Sequence, residues 1–178
     1  IALASLFQNK SLIYCTDDCH EIRIMQNIDK PEKSIKLLNN PHKSKFLAER
    51  LYGGKIIIAA PNLTNKDENQ NVLVFKFKNP VDIAAYGKMA VITDYESKEN
   101  KFSFWLFKNN QIKFIKSIQA NSAKASFIHF NSLIVVYSIH EKGTFYIQYD
   151  LFNDQLSSEI NISDDLFDSF YISRELLS

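Results

Sequence analysis

The sequence predicts an all-β fold, and three observations carry that prediction. An aromatic residue, a Gly or Asn turn and an apolar β-rich run recur together four times. The strands that follow these runs alternate apolar and polar residues, the period of a strand with one face inward. Helical spacing is scarce: only residues 43–51 and 164–170 show it, and neither has a cap-and-stripe pattern. Composition agrees, with 46% hydrophobic and 23% charged residues, the proportions of a folded chain. The 14 Phe and 8 Tyr favour half-buried strand positions.

The recurring unit can be followed in order. Phe7, Gln8 and Asn9 precede Leu12, Ile13 and Tyr14; Tyr52, Gly53 and Gly54 precede Ile56, Ile57 and Ile58. Tyr86 and Gly87 precede the run 89–92, and Phe130 and Asn131 precede the run 133–136. The leading aromatics are spaced 45, 34 and 44 residues apart, from 7 to 52, 86 and 130. After each run come a polar turn and a second strand: 21–25, 72–77, 102–107 and 144–149. Three units add a further short strand at 35–38, 112–115 and 156–160. The second runs straight into Asn79 and Pro80 and lacks it, which explains its shorter period. A strand also precedes each aromatic, at 3–6, 46–51, 83–85 and 125–128.

Up to four antiparallel strands in a unit of about 35 to 45 residues match one blade of a β-propeller. The predicted architecture is therefore a β-propeller, or part of one, with about four antiparallel blades at 1–45, 46–80, 81–122 and 123–163. The tail 164–178, with Phe170, Tyr171 and Ile172, starts a fifth unit on this reading. A β-sandwich of eight or more strands is the alternative that meets the same spacing. A start at Ile1 rather than Met points to a processed product or an excised part of a longer chain.

The stretch from Tyr52 through Gly53, Gly54, Ile56, Ile57, Ile58, Ala59, Ala60 and Pro61 to Asn62 resembles the FG-GAP repeat of integrin-type propellers. That family places an aromatic–glycine pair before an apolar run ending in Gly-Ala-Pro; here Ala59 stands at the Gly. The resemblance implies an extracellular or surface propeller that binds proteins, sometimes with calcium in its loops. The Gly-His and Trp-Asp pairs of WD40 repeats and the double glycine of kelch repeats are missing.

Charge and hydropathy narrow the partners. With 21 Lys+Arg against 20 Asp+Glu the net charge is +1, and the signs are interspersed. Nucleic-acid binders draw much of their affinity from a basic excess, so nucleic acid is not an expected partner. The heavy use of Lys, Asn, Ile and Phe reads as the codon bias of an AT-rich genome. No apolar run approaches the roughly 18 to 20 residues of a membrane helix; the longest, 133–137, has strand length.

Candidate sites are few. Cys15 and Cys19 bracket Thr16, Asp17 and Asp18, with His20 next. A haem attachment variant or a zinc site would need ligands the segment does not supply. A three-residue turn would set the two cysteines opposite one another on adjacent strands. A disulfide in an oxidising compartment and a pair of core thiols both satisfy that placement. Asp67, Asn69 and Asn71 alternate like the oxygen ligands of a calcium loop, without the loop's glycine or its closing Glu, and so form a weak calcium candidate. Sequons occur at Asn9, Asn62 and Asn161, about the number chance would give.

His20, His42, His129 and His140 fall in different units without ligand spacing. No nucleophile elbow, phosphate-cradling loop or metalloprotease helix is present, so neither catalytic residues nor a cofactor are expected. Phe102, Phe104, Trp105 and Phe107 crowd one strand, and inter-blade core is their expected role. The expected function is a non-catalytic protein-interaction or structural module within a larger assembly. The alternatives are a secreted, glycosylated surface propeller and a propeller-type glycan-acting hydrolase. The expected location is extracellular or at the cell surface, with the cytoplasm as the alternative.

Overall fold

The computed structural model describes residues 4–6, 11–65, 69–128 and 131–162. Sixteen strands and one 3-10 turn, Pro31–Lys33, make up its regular structure, with no α-helix among the described residues. The strands form four separate sheets, each from one contiguous stretch of chain. The first holds β1 (Ala4–Leu6), β2 (Leu12–Cys15), β3 (Glu21–Met25) and β4 (Ser34–Asn39) in that order. The second holds β5 (Leu47–Arg50), β6 (Ile56–Ala60) and β7 (Val72–Lys76). The third holds β8 (Pro80–Tyr86), β9 (Met89–Glu96), β10 (Lys101–Lys108) and β11 (Gln111–Gln119). In the fourth, β12 (Ser122–Ile128), β13 (Ser132–Ile139) and β14 (Gly143–Asp150) are followed by β15 (Gln155–Leu156) and β16 (Ile160–Ile162), both paired to β14.

The all-β expectation therefore holds. One pairing corrects the antiparallel one. β6 and β7 run parallel, with Ile56 beside Val72 and Ala60 beside Lys76. Antiparallel neighbours can be joined by a tight turn, but parallel ones need a crossover of about a dozen residues. Residues 61–71 provide it. Leu63 buries its side chain in the core at 5% exposure, and the Asn65 carboxamide donates to the carbonyls of Asn69 and Val72, both at 3.0 Å. The crossover ends where the Ile56 amide donates to the Asn71 carbonyl at 2.8 Å.

Turn chemistry fixes the hairpins of the third sheet. Asn109 and Asn110 join β10 to β11 with φ of 54° and 60°, the two left-handed residues that a two-residue type I′ turn requires. Gly87, at φ 59°, opens the turn from β8 to β9, where a side chain would meet strain.

The chain forms two compact units, Ile1–Ile83 and Ala84–Ser178. In the first, Ile13, Cys15, Ile22, Ile24 and Leu38 of the first sheet cluster with Ala48, Ile56, Ile58, Ala60 and Val72 of the second. In the second, Val91, Phe104, Leu106 and Ile118 of the third sheet cluster with Phe127, Leu133, Val135, Tyr137, Ile147 and Tyr149 of the fourth. Burial peaks at the second strand of the second, third and fourth sheets. All five residues of β6 are buried, as are 90–93 in β9 and 135–137 in β13. The last strand is the most exposed in the third and fourth sheets, and in the first β4 is more exposed than β2 and β3.

Two of those last strands carry a bulge at matching places. Ile22 pairs with Leu38 but Arg23 pairs with Lys36, leaving Leu37 over. Phe104 pairs with Lys116 but Trp105 pairs with Phe114, leaving Ile115 over. Such an extra residue bends and twists its strand. Both extra side chains go to the cores: Leu37 lies in the first cluster and Ile115 packs against the second.

The Thr93 hydroxyl is the exception to full polar pairing. It is buried, in register with Phe104, and has no hydrogen-bond partner among the described residues. A buried unpaired polar group costs about 1–3 kcal/mol. Thr93→Val keeps the shape and removes the hydroxyl, so it should raise unfolding free energy by about 1 kcal/mol, read by urea denaturation; an unchanged or lower midpoint would contradict this.

Candidate functional site

Cys15 and Cys19 form a disulfide, with Cα atoms 4.8 Å apart. Its setting corrects the cross-strand placement. Cys15 ends β2 opposite Ile22, whereas Cys19 sits in the turn at φ 56°. The connection holds five residues, 16–20, because the Asp18 carboxylate organises it from within. That carboxylate accepts the Thr16 hydroxyl at 2.8 Å and the His20 amide at 3.2 Å. The Cys19 amide donates to the Thr16 carbonyl at 2.7 Å. The Thr16 hydroxyl, then the His20 amide, hold the Asp18 carboxyl below its ordinary pKa. The bridge thus closes a turn rather than joining two strands.

Behind the turn lies a buried polar network. Asn40 is fully buried. Its amide donates to the His20 carbonyl at 2.6 Å, and its carboxamide exchanges bonds with Ser44, donating to the carbonyl at 3.1 Å and accepting from the amide at 2.9 Å. The Ser44 hydroxyl in turn accepts the Asn62 amide at 3.2 Å. One side chain therefore ties the cysteine turn to the loop after β4 and, through Ser44, to the end of β6.

The second unit has a cluster of its own. Two buried tyrosines, Tyr137 and Tyr149, donate their hydroxyls to Glu159 and Asp154, exposed carboxylates from the segment after β14. Lys113 of β11 donates to the Tyr149 hydroxyl at 3.2 Å and pairs with Asp154 at 3.3 Å. The Tyr149 hydroxyl, then Lys113, hold the Asp154 carboxyl below the usual range. The Tyr149 hydroxyl and then Asp154 push the Lys113 ammonium up, and burial above all raises the Tyr149 phenol. Each polar atom here satisfies another, which is the arrangement of a structural clasp.

The remaining candidates are dispersed. Asp67 and His129 lie outside the described residues. Asn69 spends its carboxamide oxygen on the Asn71 amide at 3.1 Å. Among the described residues no group of three or more His, Cys, Asp or Glu side chains is placed to hold a metal ion. His20 stands 3.9 Å from Asp18 at the surface, and the His140 amide bonds to Asn121. No described helix is long and apolar enough to cross a membrane. Phe102 and Phe104 face the core cluster as their spacing predicts, while Trp105 meets Phe114 edge-on at 5.3 Å on the other side. A shallow open cleft lies between the two hairpin turns of the third sheet, lined by Tyr86, Gly87, Lys88, Met89, Lys108 and Asn109.

Of the sequons, Asn9 lies outside the described residues. Asn62 is exposed just after β6, and Asn161 is exposed within β16, opposite Phe145. The buried Asn40–Ser44 network had no sequence signal, because its residue types also fill solvated turns.

Reducing the protein should lower its unfolding free energy by about 2 kcal/mol, the chain-entropy value for a loop this short, read as a shifted denaturation midpoint. Asn40→Ala, which strands the Ser44 amide and carbonyl, should lower it by about 2 kcal/mol. Folding lowers the Asp154 carboxyl, so its contribution is present above the ordinary carboxylate pKa and fades as pH falls through the folded value. Lys113 and Tyr149 are raised, so theirs is present below their ordinary values and fades as pH rises through the folded ones. In Tyr149→Phe, Asp154 should titrate at higher pH than in the parent, read by carboxyl NMR.

No family model matches the chain, and no curated protein matches it. Among solved structures it is similar to a puromycin-hydrolyzing peptidase of Mycobacterium tuberculosis, with a TM-score of 0.48 and 12% identity. The match covers 88% of this chain and 28% of the peptidase, so the chain spans well under a third of that protein's length.

Proposed function

We propose that the four sheets are blades of a β-propeller, or of part of one, and that the chain is a non-catalytic protein-interaction or structural module within a larger assembly. The repetition carries this reading. Each sheet comes from one contiguous stretch, and the second, third and fourth bury their second strand most deeply, as a blade flanked on both faces would. The parallel β6–β7 pair departs from a regular blade. The polar clusters support the same reading, since the Asp18 turn, the Asn40 network and the Lys113–Tyr149–Asp154 group spend their hydrogen bonds internally.

Large apolar side chains remain at the surface, notably Tyr52 at 77% and Phe152 at 74% exposure. Exposed aromatics are favoured anchors at protein interfaces. The Cys15–Cys19 disulfide favours an extracellular or surface location, because such bonds are rare in reducing compartments.

Proximity labelling in the source cells, followed by reconstitution with each purified candidate, tests the module reading. A direct complex should form, and Tyr52→Ser or Phe152→Ser should weaken it at least about tenfold, or ~1.4 kcal/mol. Release of sugar from a glycan panel by the purified chain would replace this reading with the hydrolase one.

A further inference from the structure

We infer that Asn62 is an N-glycan acceptor. The inference rests on the extracellular part of the reading above and deepens it. An acceptor needs its Asn and the hydroxyl two residues on to be presented together, on backbone that can carry a bulky polar group in solvent.

The segment after β6 meets these needs. Leu63, between the two, is 5% exposed and belongs to the core cluster of the first unit. The residues on either side of it alternate with it in burial. Anchoring Leu63 inward therefore turns Asn62 and Thr64 outward together, and both are exposed. Among the described residues, the backbone amide of Asn62 is its one engaged group, held by the Ser44 hydroxyl at 3.2 Å. That bond holds the main chain and leaves the carboxamide to solvent. The position follows Pro61 at the head of a crossover, so a glycan there displaces no ladder bond.

Asn161 offers less. It lies within β16, paired opposite Phe145, and its carboxamide lies close to Gly143, within 3.8 Å of where a Cβ there would stand. The disulfide supplies the second, independent observation. Bridge formation and N-glycan transfer belong to the same oxidising route, and Asn62 is joined to the cysteine turn through Ser44 and Asn40.

The test uses the full chain behind a supplied cleavable signal peptide, secreted from cultured eukaryotic cells. Intact mass is read before and after peptide N-glycosidase, with peptide mapping. The parent should carry a glycan that the enzyme removes, leaving Asp at position 62. Asn62→Gln and Thr64→Ala should abolish that modification, and Thr64→Ser, which keeps the hydroxyl, should retain it. A secreted chain with Cys15 and Cys19 bridged but Asn62 bare would overturn the inference, as would a mass shift unchanged in Asn62→Gln. Because the signal is supplied, these outcomes judge the acceptor itself. The native compartment is judged separately, by the thiol state of Cys15 and Cys19 in protein trapped with alkylating agent from the source cells.

Discussion

A strand buried at every residue requires cover on both faces of its sheet. β6 is such a strand: Ile56, Ile58 and Ala60 enter the first core cluster, while Ile57 and Ala59 are equally buried on the other side. β9 repeats this over 90–93, with Val91 in the second cluster and Ala90 and Ile92 buried opposite. At about 25 cal/mol per Å² of apolar area, an uncovered face of isoleucines would be a steep loss in a chain of modest stability. The rest follows from this constraint: short sheets, polar turns at their ends, and outer strands that take the contact with water.

The turns show how small polar devices hold these sheets in place. Asp18 folds the cysteine turn, Asn40 welds it to the next loop, and Asp154 and Glu159 receive the hydroxyls of Tyr149 and Tyr137, whose rings lie in the core. A buried tyrosine contributes large apolar area only if its oxygen is satisfied. The fourth sheet supplies that satisfaction from the connections between β14, β15 and β16, so those links matter to its interior.

Much of the strand order was legible because β-structure writes itself in short-range pattern. The run 133–136 and the alternation around Phe75 place strands, and Gly87 places a turn. Pairing direction was not legible at β6 and β7. Alternation reads the same in either direction, and the anchors of the crossover, Leu63 and Asn65, resemble ordinary loop residues. The cysteine spacing announced proximity correctly. It misplaced the partners because an Asp-centred turn takes in Cys19, which spacing alone reads as strand. The Lys113–Tyr149–Asp154 clasp joins residues 36 and 5 positions apart, so only the folded chain assembles it.

The surplus residues Leu37 and Ile115 have a consequence for how the molecule meets its neighbours. An outer strand offers a row of open amides and carbonyls on which a foreign strand could grow. A kink in β4 and another in β11 break that row in two, and Lys36 and Lys116 stand beside the kinks. A strand arriving from another molecule would find only short, charged stretches in register. Growth of a foreign sheet from these two edges is thereby discouraged.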